Sequence, residues 1–204
     1  MQNRVNPFGE IIETTARGLW MGNRGNIHNH DKKIVRAYKL KAWITCKLEF
    51  KGRKREIMAP NLYTELFFLD EATAFAAGHR PCFECRREDY NKFKTAWLRG
   101  NTQYKFSEKT SISEIDKILQ KERMNKDGFK KTFEEKNSII PDGTFIAIEN
   151  EPYLVFNKHI YLWTPFGYTK KIALSPNGKS TVLTPKSTVN TFKASYTPQV
   201  SLTR

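Results

Sequence analysis

Between Phe67 and Trp97 the apolar residues recur at helical intervals on both sides of a short polar turn. Ala72, Phe75 and Ala76 form one stripe, with Asp70 placed to cap it, Glu71 in its first turn and Gly78 to end it. That arrangement predicts a short helix over residues 70–78. Tyr90, Phe93 and Trp97 form a second stripe at intervals of three and four, so a second helix is expected to begin within residues 86–97. A third helix is expected over residues 111–124, where Ile112, Ile115 and Ile118 or Leu119 make the buried face and the serines cap the start. Residues 129–136 read as a further short helix or an ordered loop.

Elsewhere the period shortens. Leu19 to Met21 reads as a strand entering a tight turn at Gly22, Asn23 and Gly25, and residues 34–50 as a strand pair rich in lysine. From residue 137 onward, short β-rich runs near 144–148, 153–156, 159–163, 167–172 and 181–184 are separated by Gly, Pro and Asn. Such spacing indicates a small antiparallel sheet or roll. Residues 189–196 fit either a terminal helix or a strand.

Cys82 and Cys85 lie in the turn between the first two helices, in a Cys-x-x-Cys spacing that lets two thiolates face one metal ion at about 2.3 Å. Three cysteines are too few for a disulfide framework, and the absence of a βαβ pattern around the pair disfavours a thioredoxin-like role. The N-terminus shows no apolar core of a secretion signal and no run approaches the roughly 18 apolar residues of a membrane span, so a cytoplasmic protein is expected.

Charge changes the picture more than composition does. Thirty-five Lys and Arg against 21 Asp and Glu give a formal charge of +14 over 204 residues, which points to a polyanionic partner, nucleic acid first. Lys51, Arg53, Lys54 and Arg55 crowd a loop around Gly52, and Arg80, Arg86 and Arg87 flank the cysteine pair. Arg17 and Arg24 flank the glycine-rich turn, where arginines suit phosphate. All nine are candidate nucleic-acid contacts.

Residues 41–87 resemble the metal-binding domain of the Ada family of DNA repair proteins. Lys41-Ala-Trp-Ile-Thr-Cys46, a basic loop, Phe67-Phe68 and then Ala76-Ala-Gly-His-Arg-Pro-Cys-Phe-Glu-Cys85 carry the likeness. The resemblance implies a zinc site in which Cys46, Cys82 and Cys85 are ligands, and DNA, more than RNA, as the partner. It also implies that Cys46 is the thiolate that accepts a methyl group, the candidate catalytic residue. The second family cysteine falls on Phe50, so a fourth ligand must come from elsewhere. His30 is a candidate, as is His28, while His79 reads as packing or a phosphate contact before a ligand. Pro81-Cys-Phe-Glu-Cys85 also matches half of the zinc deaminase signature, but Cys46 and Glu49 do not supply the other half.

The expected architecture is therefore α+β: an Ada-like β/α metal-binding domain over 1–97, a helical connector over 98–137 and an antiparallel β-rich domain over 138–204. The expected function is zinc-stabilised nucleic-acid binding, with DNA repair or modification through Cys46 as the alternative.

Overall fold

The computed structural model describes residues 1–53, 56–125 and 127–202. Lys54 and Arg55 of the basic loop lie outside these described residues. The fold is α+β, as the sequence predicts. Six short strands, β1 (Gln2–Val5), β2 (Ile11–Glu13), β3 (Trp20–Asn23), β4 (Ile44–Cys46), β5 (Leu66–Phe68) and β6 (Arg80–Pro81), form a mixed sheet in the order β2-β1-β5-β3-β4-β6. In it β3 runs antiparallel to β4 and β5, whereas β4 and β6 run parallel with Thr45 opposite Pro81. That register sets Cys46, the last residue of β4, beside Cys82, the first residue after β6. Gly22 is required in β3 because a Cβ there would stand 2.2 Å from the Ile44 carbonyl oxygen.

The second sheet is antiparallel throughout, in the order β11-β10-β9-β8-β12-β7. Its strands are β7 (Phe133–Lys136), β8 (Phe145–Ile148), β9 (Glu151–Phe156), β10 (His159–Thr164), β11 (Gly167–Ala173) and β12 (Lys179–Val182). Helices α1 (Glu71–Ala76), α2 (Arg87–Gly100), α3 (Ile112–Arg123) and α4 (Lys186–Lys193) complete the fold. Asp70 caps α1 by accepting from the Thr73 N–H at 2.8 Å, and Ser111 caps α3.

Two expectations need correction. Of the strand pair expected over 34–50, Ile44–Cys46 alone is a strand; Val35, Tyr38 and Leu40 are exposed, and Ile34 makes only an isolated bridge to His28. Within 129–136, Phe133–Lys136 is an edge strand on β12 instead of a helix, because Phe133 packs into the sheet's apolar face.

The apolar cores cross the expected boundaries at 97 and 137. Phe75 of α1, Phe93 and Trp97 of α2, Ile115 and Leu119 of α3, and Phe192 and Tyr196 near the C-terminus form one cluster. Leu69, Ala72 and Ala76 pack with Phe145, Leu154, Trp163 and Leu183 of the second sheet. Helix α1 thus lies between the two sheets' cores. The C-terminal segment pins it further: Tyr196 Oη donates to Glu71 Oε1 at 2.8 Å, and the N–H groups of Gln199 and Ser201 donate to Glu71 and Asp70 at 2.9 and 3.0 Å.

Among the described residues no helix is long and apolar enough to cross a membrane.

Candidate metal centre

The parallel pairing of β4 with β6 brings Cys46 to the Cys82–Cys85 turn, and the three sulfurs lie within 4.8 Å of one another, all buried. The turn is held from both sides. The Cys82 N–H donates to the Thr45 carbonyl at 2.9 Å, and the Arg86 N–H donates to the Cys82 carbonyl at 3.1 Å. Backbone N–H groups are also aimed at sulfur: Glu84 donates to Cys82 Sγ at 3.4 Å and Lys47 to Cys85.

Three thiols this close share protons. The bond from Cys46 holds Cys82 well below the usual thiol range, and the same contact pushes Cys46 well above it. Sulfurs that are buried together and hydrogen-bonded by main-chain donors form a donor set that suits a soft metal cation. A tetrahedral ion with about 2.3 Å bonds to sulfur has edges of roughly 3.8 Å, which lies within the observed spacing. The three cysteines fit a metal ion.

Neither histidine candidate joins them. His30 is exposed and lies outside the sulfur cluster, in a turn closed by the Asn29 N–H donating to the Lys33 carbonyl. His28 is buried elsewhere, with Nδ1 at 2.6 Å from Thr64 Oγ1 and Nε2 at 3.2 Å from the Ala59 carbonyl. Among the described residues no His, Asp or Glu completes the group, and Phe50 packs directly against the sulfurs. The free side opens into a cleft of about 520 Å³, floored by the three cysteines and walled by Leu48, Phe50, Tyr63 and Phe67.

The arginines divide sharply. Arg80 and Arg86 are buried, contrary to a phosphate-facing role. Arg80 grips Asp116 of α3 with two bonds of 2.8 and 2.7 Å. Arg86 pairs with Glu71 and, at 2.9 Å, with Asp89, stacks on Trp20, and donates to Thr45 Oγ1. The two clamp the cysteine turn to α1, α3 and β4. Arg24 is buried as well, with Nη2 on the Gly9 carbonyl at 2.9 Å and its guanidinium 4.0 Å from the centre of the Trp43 ring. His79 is packing, between Phe68 and Trp43, and burial followed by the nearby Arg24 charge keeps it neutral far below its usual range.

The exposed candidates are Arg17, Lys51, Arg53 and Arg87. Arg53 pairs with Glu84 across the mouth of the cleft and lies 5.5 Å from the centre of the Phe50 ring, so the basic loop is latched to the cysteine turn. Arg87 covers Phe83 at 4.1 Å. Sequence reasoning missed Asp116 as a clamp, although its signal is present: Asp116, Leu119 and Arg123 recur at helical spacing, which puts two charges on the buried face of α3. It missed the cleft wall Glu65, which carries no motif.

Neither a protein-family model, a curated protein nor a solved structure matches the chain.

Proposed function

We propose that this is a zinc-stabilised protein that binds nucleic acid, DNA before RNA. The observation that carries the reading is the buried sulfur trio at the floor of a cleft whose lining includes Lys47, Arg53 and the exposed ring of Tyr63. Cations hold phosphates and a half-exposed aromatic ring stacks on bases, so Lys47 and Tyr63 supply both components of a nucleic-acid surface, which Arg53 joins on releasing Glu84. The net charge of +14 supports an anionic polymer as the partner. The likeness of residues 41–87 to the Ada metal-binding domain favours DNA.

Binding of duplex DNA, followed by fluorescence anisotropy across a salt series, tests this. Neutralising Lys47, Lys51 and Arg53 together is expected to weaken binding and flatten the salt dependence by about one unit of slope for each phosphate no longer held. An unchanged affinity and slope would remove the cleft rim from the interface. Native mass spectrometry is expected to find one zinc per chain, absent from Cys82→Ser. A metal-free wild-type protein would end the zinc assignment.

The alternative is DNA repair or modification through Cys46, and the open side of the sulfur trio favours it. Zinc would keep the Cys46 sulfur ionised. In the chemistry the resemblance implies, that sulfur bonds to the methyl carbon of a phosphotriester as the methyl–oxygen bond breaks, leaving a phosphodiester anion and a thioether. Incubation with methylated DNA distinguishes the two readings: a gain of one methyl group on Cys46 supports the repair role, and an unmodified chain leaves binding alone.

A further inference from the structure

A second cleft, of about 590 Å³, opens where the N-terminal loop, the segment after β3 and the segment after α3 meet. Arg24, Arg123 and Lys130 line it, with Arg36 at its edge. The first two are almost completely buried, and Lys130 turns its ammonium inward to the Ala76 carbonyl. Among the described residues none of the three forms an ion pair. The neighbouring carboxylates are engaged elsewhere: Asp116 is held by Arg80, Glu122 accepts from Ser187, and the exposed Glu10 accepts from Asn6.

Carbonyl dipoles answer most hydrogen bonds of this group, and Asp116 and Glu122 attract Arg123 without pairing with it. Arg24 donates to Gly9, and Arg123 to Leu119 and Lys41 at 3.2 and 3.1 Å, while both guanidiniums lie against Trp43. Nη2 of Arg123, in a side chain 1% exposed, has no partner. A buried, unpaired guanidinium nitrogen beside two further cations is costly unless an anion completes it. Burial lowers Arg24 and Arg123 to about 9 and Lys130 to about 7; Arg123 further lowers Arg24, and both arginines further lower Lys130, while Asp116 pulls Arg123 partly back up.

We propose that this cleft binds a phosphate monoester of nucleotide size, its phosphoryl group held by Arg24, Arg123 and Lys130. Three converging cations match a dianion, and guanidiniums match its oxygens in pairs. The cleft is larger than a phosphate ion needs, and Phe8, Ile34 and the exposed Phe129 give its outer part apolar walls for an organic group. The site draws on no cysteine and stands independently of the metal centre.

Calorimetric titration of the full chain at constant ionic strength tests it, with inorganic phosphate, AMP and adenosine as probes and chloride as the background anion. One phosphate per chain is expected, AMP binding more tightly and adenosine not at all. A 5′-phosphorylated oligonucleotide that binds better than its 5′-hydroxyl form would identify the end of a nucleic acid as the source, and AMP binding better than either would identify a free nucleotide. Lys130→Met is expected to lose affinity by about tenfold or more while melting higher than wild type in phosphate-free buffer below about pH 7, where it removes a buried cation. Arg123→Lys keeps the charge but not the fork and is expected to weaken phosphate similarly. Heat from phosphate no greater than from matched chloride, or unchanged affinity in both variants, would overturn the proposal.

Discussion

Arg86 Nη1 donates to Thr45 Oγ1 at 2.9 Å, so the residue after Cys85 is bonded to the residue before Cys46. The same guanidinium pairs with Glu71, which tethers the cysteine turn to the first residue of α1. One buried side chain therefore ties the cysteine turn to the strand that carries Cys46.

Replacing Arg86 by Met leaves Glu71 charged and unpaired in the interior. Breaking a buried ion pair from one side costs about 3–5 kcal/mol, and the loss is expected as a lower urea midpoint. Weaker zinc retention in competition with a chelator should accompany it, because the turn loses its tie to Thr45.

Removing the metal should destabilise the wild type and not Cys82→Ser. A ligand present at a thousand times its dissociation constant stabilises a fold by about 4 kcal/mol. Differential scanning calorimetry with and without chelator reads the difference. Acid is expected to have the same effect as chelator, since thiol ligands must lose their protons to bind.

Gly78 has φ +91°, and a Cβ there would lie 3.0 Å from Cβ of Arg123. Gly78→Ala thus meets both backbone strain and a blocked side chain, at a cost of roughly 1–3 kcal/mol. Arg123→Ala in the same chain should recover the steric part, a coupling that a double-mutant cycle measures. Phosphate affinity should fall in the single variant.

In anion-free buffer, stability should rise from about pH 7 toward the ordinary lysine range. Lys130 is lowered to about 7 by burial and then by Arg24 and Arg123, so between that value and the unfolded one the unfolded chain binds the extra proton. The sign is therefore positive: the slope of unfolding free energy with pH is upward across this window. His79 faces the same cations and is neutral throughout it. Lys130→Met should abolish the rise, and denaturant melts at several pH values would show it.

Much of the centre is legible in the sequence because it is local. Asp70 and Gly78 bound α1 as their cap chemistry requires, and the Cys82–Cys85 spacing is a turn property. Cys46 enters through resemblance, and the parallel register of β4 with β6 then places it. The buried arginines escape sequence reasoning for a physical reason. A basic residue says that a charge exists, but its burial depends on a partner far along the chain, and Asp116 is 36 residues from Arg80. The second cleft is invisible for the same reason, since Arg24, Arg123 and Lys130 meet only after the N-terminal sheet and α3 are packed together.

The pinning of α1 by residues 196–201 has a consequence for the order of events during synthesis. Glu71 and Asp70 wait on donors that are made some 125 to 131 residues later. While the chain is growing, the helix leading into the cysteine turn lacks those bonds, and so does the Arg86 clamp's partner. The candidate metal centre, although its cysteines lie within residues 46–85, can reach its final rigidity only after residues 196–201 have been made.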